Sequence, residues 1–219
     1  MQEHHIGVTR TARYFTLGES SGGVAEVWFV CHGYGQLAAR FLRHFEPLAA
    51  AGRLIVAPEA LSRFYLEDTA VPAKERKVGA TWMTREDRLR EIADYVRYLD
   101  ELYTAVVRPA ASGARVTALG FSQGAATVSR WAALGRWRID RLVLWGGELP
   151  PDLDLAAARE RLRTVRLTIV YGRRDEFITE KLAGTITARL RAHDIPHELR
   201  RFDGGHELDA DVLRALATA

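Results

Sequence analysis

Cysteine occurs once in the 219 residues, at Cys31, so no disulfide can close within the chain, as suits a reducing compartment. Asparagine does not occur at all, which excludes every N-glycosylation sequon. No apolar run approaches the roughly 20 residues of a membrane-spanning helix. The N-terminus, Met1-Gln2-Glu3-His4-His5, lacks the charged-then-apolar order of a secretory signal. The expectation is therefore a cytoplasmic protein with no stable membrane insertion. Neither sign of charge dominates: 31 basic against 28 acidic residues give +3. The arginines are spread among acids and form no single patch, so nucleic acid is not an expected partner. The densest run, Lys74-Glu75-Arg76-Lys77, reads as a solvated loop. No repeat, low-complexity tract or linker divides the chain, and 1–219 is expected to form one domain.

What is present is an alternation of short apolar runs with longer amphipathic ones. That is the pattern of an α/β fold, a mostly parallel sheet of about seven strands with helices on both faces. Strands are expected over 13–17, 26–30, 54–57, 115–119, 141–145, 167–171 and 198–202. The inner runs are apolar throughout, as strands covered on both faces are. Gly22-Gly23 looks like a hairpin turn between the first two, which makes that edge antiparallel. Helices are expected over about 37–51, stopped by Gly52, and over 85–106, 123–134, 178–192 and 208–217. The second carries an apolar stripe at Leu89, Ile92, Val96, Leu99 and Tyr103. At its start, Thr84 and Asp87 resemble a capping box, and Glu86 stands one turn from Arg90. The stretch 59–83 has no clear period and holds Phe64, Tyr65 and Trp82, the profile of a functional loop.

Gly120-Phe121-Ser122-Gln123-Gly124 has the form G-x-S-x-G. The pattern is short, and its context gives it weight: a strand precedes it and an Ala-rich helical run follows. Small glycines permit a sharp strand-to-helix turn that lifts the serine hydroxyl above the sheet, beside the N–H groups of a helix start. A serine hydroxyl is a weak nucleophile at neutral pH, so it needs a base, and the base needs an orienting acid. In the chain order serine, acid, histidine, the acid falls in the loop after 167–171, where Asp175 is the choice and Glu176 the near alternative. The base falls after the last strand, where Asp203-Gly204-Gly205 can carry His206 over the sheet edge. His193 and His197 read as surface residues. The expected oxyanion donors are the backbone N–H of Gln123, next after the nucleophile, and that of Tyr34, in His32-Gly33-Tyr34-Gly35. His32 reads as a residue that orients this loop, and Cys31 as a small buried hydrophobe. Phe64, Tyr65, Trp82 and Leu149 are the candidate substrate-binding side chains. The competing reading is that the aromatics pin the loop to the core.

With these motifs the sequence resembles an α/β-hydrolase and, more narrowly, the phospholipase/carboxylesterase family, the small serine esterases that include acyl-protein thioesterases. The resemblance rests on His32-Gly33-Tyr34-Gly35, the elbow with Gly124-Ala125-Ala126, Gly146-Gly147-Glu148-Leu149-Pro150, the turn from Gly172 to Asp175, and Gly205-His206. It spans nearly the whole chain. It implies a triad of Ser122, Asp175 and His206, oxyanion donors at Tyr34 and Gln123, no cofactor, and often a homodimer. The core uses nearly the full length, so no separate lid domain is expected. The thioesterases carry an aspartate where Gln36 stands here, and 61–65 with 79–84 look like a bacterial esterase subgroup. The expected function is therefore a carboxylesterase that cleaves small carboxylic esters through an acyl-enzyme on Ser122. Acyl-thioesterase and lysophospholipase use the same triad and stand as alternatives. A dienelactone-hydrolase-like activity is disfavoured, because that group carries cysteine at the elbow. A non-catalytic binding protein of the same fold is disfavoured because no triad member is missing.

Overall fold

Successive side chains of an extended strand point to opposite faces, so a strand that is apolar at every position needs a core on each side. In Glu26–Cys31, Val27, Phe29 and Cys31 enter one apolar cluster, while Trp28 and Val30 enter another. The structure is a computed structural model that describes residues 1–18, 23–67, 70–72, 74–110 and 113–218. Its strands in chain order are Tyr14–Leu17 (β1), Glu26–Cys31 (β2), Arg53–Pro58 (β3), Ser62–Tyr65 (β4), Val78–Thr81 (β5), Arg115–Phe121 (β6), Arg141–Trp145 (β7), Arg166–Gly172 (β8) and His197–Phe202 (β9). Seven of them form one sheet in the order β1-β3-β2-β6-β7-β8-β9, parallel except at β1.

One face is covered by helices Arg88–Ala110 (α2), Gln123–Leu134 (α3), Leu155–Leu162 (α4) and Glu180–Ala192 (α5). The other is covered by Ala38–Leu42 (α1), the 3-10 turn Arg43–Leu48 that continues it, and Ala210–Ala217 (α6). The architecture is that of an α/β-hydrolase without a separate lid. No helix among the described residues is long and apolar enough to cross a membrane.

The chain steps from β2 to β3 on one side, then returns to place β6 on the other side of β2. The winding direction reverses there, and the loops that leave the carboxyl ends of β2 and β6 diverge into a crevice, the usual ligand position in such sheets. Cys31 pairs with Gly120, so the two loops start side by side.

Several local expectations are corrected by tertiary packing. Both edges of β2 are taken by β3 and β6, so β1 cannot pair with it as a hairpin. It runs antiparallel to β3 instead, with Tyr14 opposite Pro58. The expected turn at Gly22 lies outside the described residues. The single helix expected over 37–51 is a short α-helix followed by a 3-10 turn, because Pro47 lacks an N–H and its ring opposes a continuing α-helix. The stretch 59–83 is not all loop: β4 and β5 pair as an antiparallel hairpin. Helix α4 is an element beyond those expected, capped by Asp154, which accepts the Ala157 N–H, with Leu155, Ala158 and Leu162 as its buried stripe.

The long helix starts at Arg88, later than its periodicity suggests, because Asp87 has φ 44° and cannot lie within it. The reciprocal cap is therefore not between Thr84 and Asp87; the Glu91 carboxylate accepts the Thr84 N–H at 2.6 Å. Glu86 lies before the helix and so cannot pair with Arg90 across a turn. Leu89, in the first turn, is 70% exposed, whereas Ile92, Val96 and Leu99 are buried as expected. Tyr103 packs against the core only partly.

Asp152 joins α2 to α3 by accepting from Arg88 at 2.6 Å and Arg130 at 2.8 Å. Partial burial pushes its carboxyl pKa up, but the two guanidinium hydrogen bonds outweigh that and hold it down at about 2.

Two stability predictions follow from this packing. Leu99→Ala is expected to cost about 2–5 kcal/mol in denaturant unfolding, and Leu89→Ala less than about 0.5 kcal/mol. Equal costs would contradict the placement of the helix. Because the folded pKa of Asp152 is depressed, its contribution is complete above its ordinary value of 3.8 and is lost as pH falls toward 2. Asp152→Asn should therefore lower stability at pH 7 by about 1 kcal/mol. Its stability should also decline less steeply than wild type through that acid window, as measured by urea unfolding across pH.

Candidate active site

The site begins with a backbone constraint at the end of β6. Ser122 has φ 54° and ψ −119°, a strained conformation for a residue with a side chain. Its N–H donates to the Trp145 carbonyl at 2.8 Å and its carbonyl accepts from Ala125 N–H at 2.9 Å, which hold the turn on both sides. A Cβ on Gly120 would lie 2.1 Å from the Gly124 carbonyl oxygen, and one on Gly124 would lie 2.2 Å from the Cys31 carbonyl oxygen. Only glycine allows the elbow to close and the start of α3 to press against the end of β2. Gln123 is the first residue of α3, where backbone N–H groups have no partner within the helix.

The loop after β2 is held by its own hydrogen bonds. The Gly33 N–H donates to the Gln36 side-chain oxygen at 2.8 Å, the Gly35 N–H to the Ala80 carbonyl at 2.9 Å, and the Gln36 N–H to the Gly33 carbonyl at 3.2 Å. Among the four consecutive N–H groups of residues 33–36, that of Tyr34 is the one that meets no acceptor among the described residues. His32, fully buried behind it, accepts the Ala60 N–H at Nε2 (3.1 Å). The ring proton is therefore assigned to Nδ1, which donates to the Gly33 carbonyl at 2.8 Å. Burial lowers the pKa of this imidazole, more than the Gly33 hydrogen bond raises it. His32 is thus a neutral strut of the loop.

Asp175 and His206 meet where the loops after β8 and β9 are joined. The Arg173 N–H bonds the Phe202 carbonyl and the Arg174 N–H the Gly204 carbonyl, both at 2.9 Å, and Arg174 pairs with Asp203. Trp145 Nε1–H donates to the Glu207 carbonyl at 2.8 Å, tying the histidine loop to β7. The Asp175 side chain is 1% exposed, and its Oδ1 accepts the N–H groups of Phe177 (2.9 Å) and Ile178 (3.0 Å). Its Oδ2 lies 3.0 Å from His206 Nδ1, which leaves Nε2 of the same imidazole for other work. Glu176 is exposed. The His206 ring centroid lies 4.9 Å from that of Phe121, the residue before Ser122, and 4.6 Å from that of Phe177. No hydrogen bond joins Ser122 to His206 among the described residues; such contacts are often long without substrate.

The four expected substrate-binding side chains separate. Trp82 is buried beside His32 and Tyr95 and donates to the His32 carbonyl at 2.9 Å. Leu149 is buried in the larger core cluster. Tyr65 is half-exposed under the Arg76 guanidinium. Phe64 packs on Tyr34 of the loop after β2, its ring 5.2 Å from that of Tyr34. Trp82 therefore matches the pinning reading. His193 and His197 lie in the turn around Ile195, the latter bonded to the Ile195 carbonyl. Cys31 is fully buried, which pushes its thiol pKa far up.

Three contributors were not anticipated. The Gln123 side chain accepts the Trp82 N–H at 3.1 Å and donates to Thr81 Oγ1 at 3.0 Å and the Met83 carbonyl at 2.8 Å, stapling β5 to α3. Gln36 braces Gly33; its departure from the thioesterase aspartate was the available signal. Phe177 flanks His206, with no signal in the sequence. Among the described residues, one group could hold a metal, Glu3, His5 and Asp87. All three are exposed, and they belong to the N-terminal segment and the approach to α2, outside the crevice.

The model of the dienelactone hydrolase family matches residues 30–209. No curated protein matches the chain significantly. Among solved structures, the chain is similar to acyl-protein thioesterase 2 of Zea mays, with a TM-score of 0.73 and 17% identity over 95% of this chain and 97% of that one. It is similar also to a carboxylesterase from Mesorhizobium loti, with a TM-score of 0.70 and 19% identity over 95% of each chain. Esterase PE8 has a TM-score of 0.65 and 20% identity over 95% of this chain and 97% of that one. At these identities the likeness speaks to the fold, while the family match covers most of the sequence from β2 to the start of α6. The chain belongs to the dienelactone hydrolase family.

Proposed function

We propose that this family member is a serine carboxylesterase that hydrolyses small carboxylic esters through an acyl-enzyme on Ser122. The observation that carries the reading is the convergence at one crevice of the strained Ser122, the Asp175–His206 pair and the unengaged Tyr34 N–H. The family's name does not by itself select the nucleophile, and the elbow of this chain presents an oxygen. In the reaction, His206 Nε2 takes the Ser122 proton as Oγ attacks the ester carbonyl, and the N–H groups of Tyr34 and Gln123 receive the oxyanion. The alcohol leaves with the proton from Nε2. Water then repeats the sequence on the acyl-enzyme and releases the acid. Asp175 keeps the imidazole oriented and balances its charge when protonated.

The same attack serves a thioester, and the Zea mays neighbour named as an acyl-protein thioesterase keeps that alternative in view. Gln36 favours the oxoester, since the thioesterases carry an aspartate there. The substrate is proposed to be a small molecule acted on in the cytoplasm by a single domain.

Two experiments test this reading. A fluorophosphonate probe should label the wild type, and Ser122→Ala should abolish both labelling and ester hydrolysis; hydrolysis surviving in that variant would remove Ser122 from the mechanism. Gln36→Ala should lower kcat about tenfold with KM little changed, a fraction of the 100–1000-fold loss on deleting an oxyanion donor. Gln36→Glu keeps an acceptor for the Gly33 N–H and should restore most of the rate. A change confined to KM would place Gln36 in ground-state binding instead.

A further inference from the structure

Phe177 is a large apolar side chain left 62% exposed. Its backbone N–H is fixed on Asp175 Oδ1 at 2.9 Å, so the acid that orients the base also sets where this ring begins. The ring lies 4.6 Å from the His206 imidazole at an interplanar angle of 59°. The other ring against that imidazole, Phe121 at 4.9 Å, is buried. Of the two aromatic neighbours of the base, Phe177 is therefore the one with apolar surface to offer a bound molecule.

The chemistry says which part of the molecule reaches it. This inference rests on the serine-esterase reading above. As the tetrahedral intermediate collapses, the bond between the carbonyl carbon and the alcohol oxygen breaks and its electron pair stays on that oxygen. The proton on His206 Nε2 moves to the same oxygen, and the carbonyl re-forms. The leaving oxygen must then lie against the imidazole, while the oxyanion points to the Tyr34 N–H. Side chains beside the imidazole touch the alcohol half of the ester. We infer that Phe177 is a specificity-determining wall for the leaving group, selecting esters whose alcohol carries a flat apolar group such as an aromatic ring. Ring-on-ring contact supplies the preference over a small polar alcohol.

Benzyl acetate and 2-methoxyethyl acetate test this directly. Both are esters of primary alcohols and form the same acetyl-enzyme, so kcat/KM compares only the acylation half. The wild type should prefer benzyl acetate. Phe177→Ala should lose about tenfold in kcat/KM on benzyl acetate and less than about twofold on 2-methoxyethyl acetate. Phe177→Tyr, which keeps the ring, should retain the preference. Fluorophosphonate labelling of Ser122 in Phe177→Ala should continue, showing a folded protein with a working base. Equal losses on both esters, or loss of labelling, would mean that Phe177 only supports His206 and would overturn the leaving-group role. Ser122→Ala run alongside separates the two ideas: benzyl acetate hydrolysis surviving there overturns the serine reading itself.

Discussion

The crevice depends on a backbone contact between the first turn of α3 and the end of β2, where Gly124 meets the Cys31 carbonyl. This approach brings the loop after β2, which carries Tyr34, and the start of α3, which carries Gln123, together. A methyl group at Gly124 would push the two segments apart. The strain at Ser122 is part of the same arrangement, since the turn that exposes its hydroxyl also lets the helix begin beside β2. Strain of this kind persists only where surrounding structure over-determines it. Here the Trp145 carbonyl and the Ala125 N–H hold Ser122 from either side.

Around that contact runs a chain of neutral hydrogen bonds, much of it out of water. Gln123 holds the backbone of Trp82, the Trp82 indole holds the His32 carbonyl, His32 holds Gly33, and Gly33 is braced by Gln36. Buried polar groups are costly when unpaired, so a network in which each member is satisfied fixes one geometry. In the loop after β2, three of the four consecutive N–H groups of 33–36 are engaged and that of Tyr34 is left without an acceptor among the described residues. The pair of Asp175 and His206 is built differently. Asp175 uses one oxygen on its own loop and the other on His206, so the carboxylate is held by the backbone before it meets the imidazole.

Much of the sheet was legible in the sequence because its inner strands are buried on both faces and read as unbroken apolar runs. All seven expected strands are found, and 123–134 is a helix with the expected bounds. What escaped was governed by partners distant in the chain or by single residues. The antiparallel edge formed on β3 because β2 had no free edge. Pro47 shortened one helix and the positive φ of Asp87 delayed another. The hairpin of β4 and β5 lacks a strong alternation, and its edges are settled by Gly35 and Gln36 of a separate loop bonding Ala80.

The order of chemistry-bearing residues, with serine between small glycines, an acid after one strand and a histidine after the last, is a property of the sequence alone, because a parallel sheet sends each such loop to the same edge. Which of its aromatic side chains stay exposed is not. Trp82 and Leu149 are buried, because the elements that cover them come from elsewhere in the chain. Phe177, with no distinguishing pattern around it, is exposed beside His206. The free N–H of Tyr34 likewise emerges only when Gln36, Ala80 and Gly33 claim or supply the other bonds of its loop. Burial and hydrogen-bond satisfaction depend on what arrives from distant segments, so tertiary structure alone decided them.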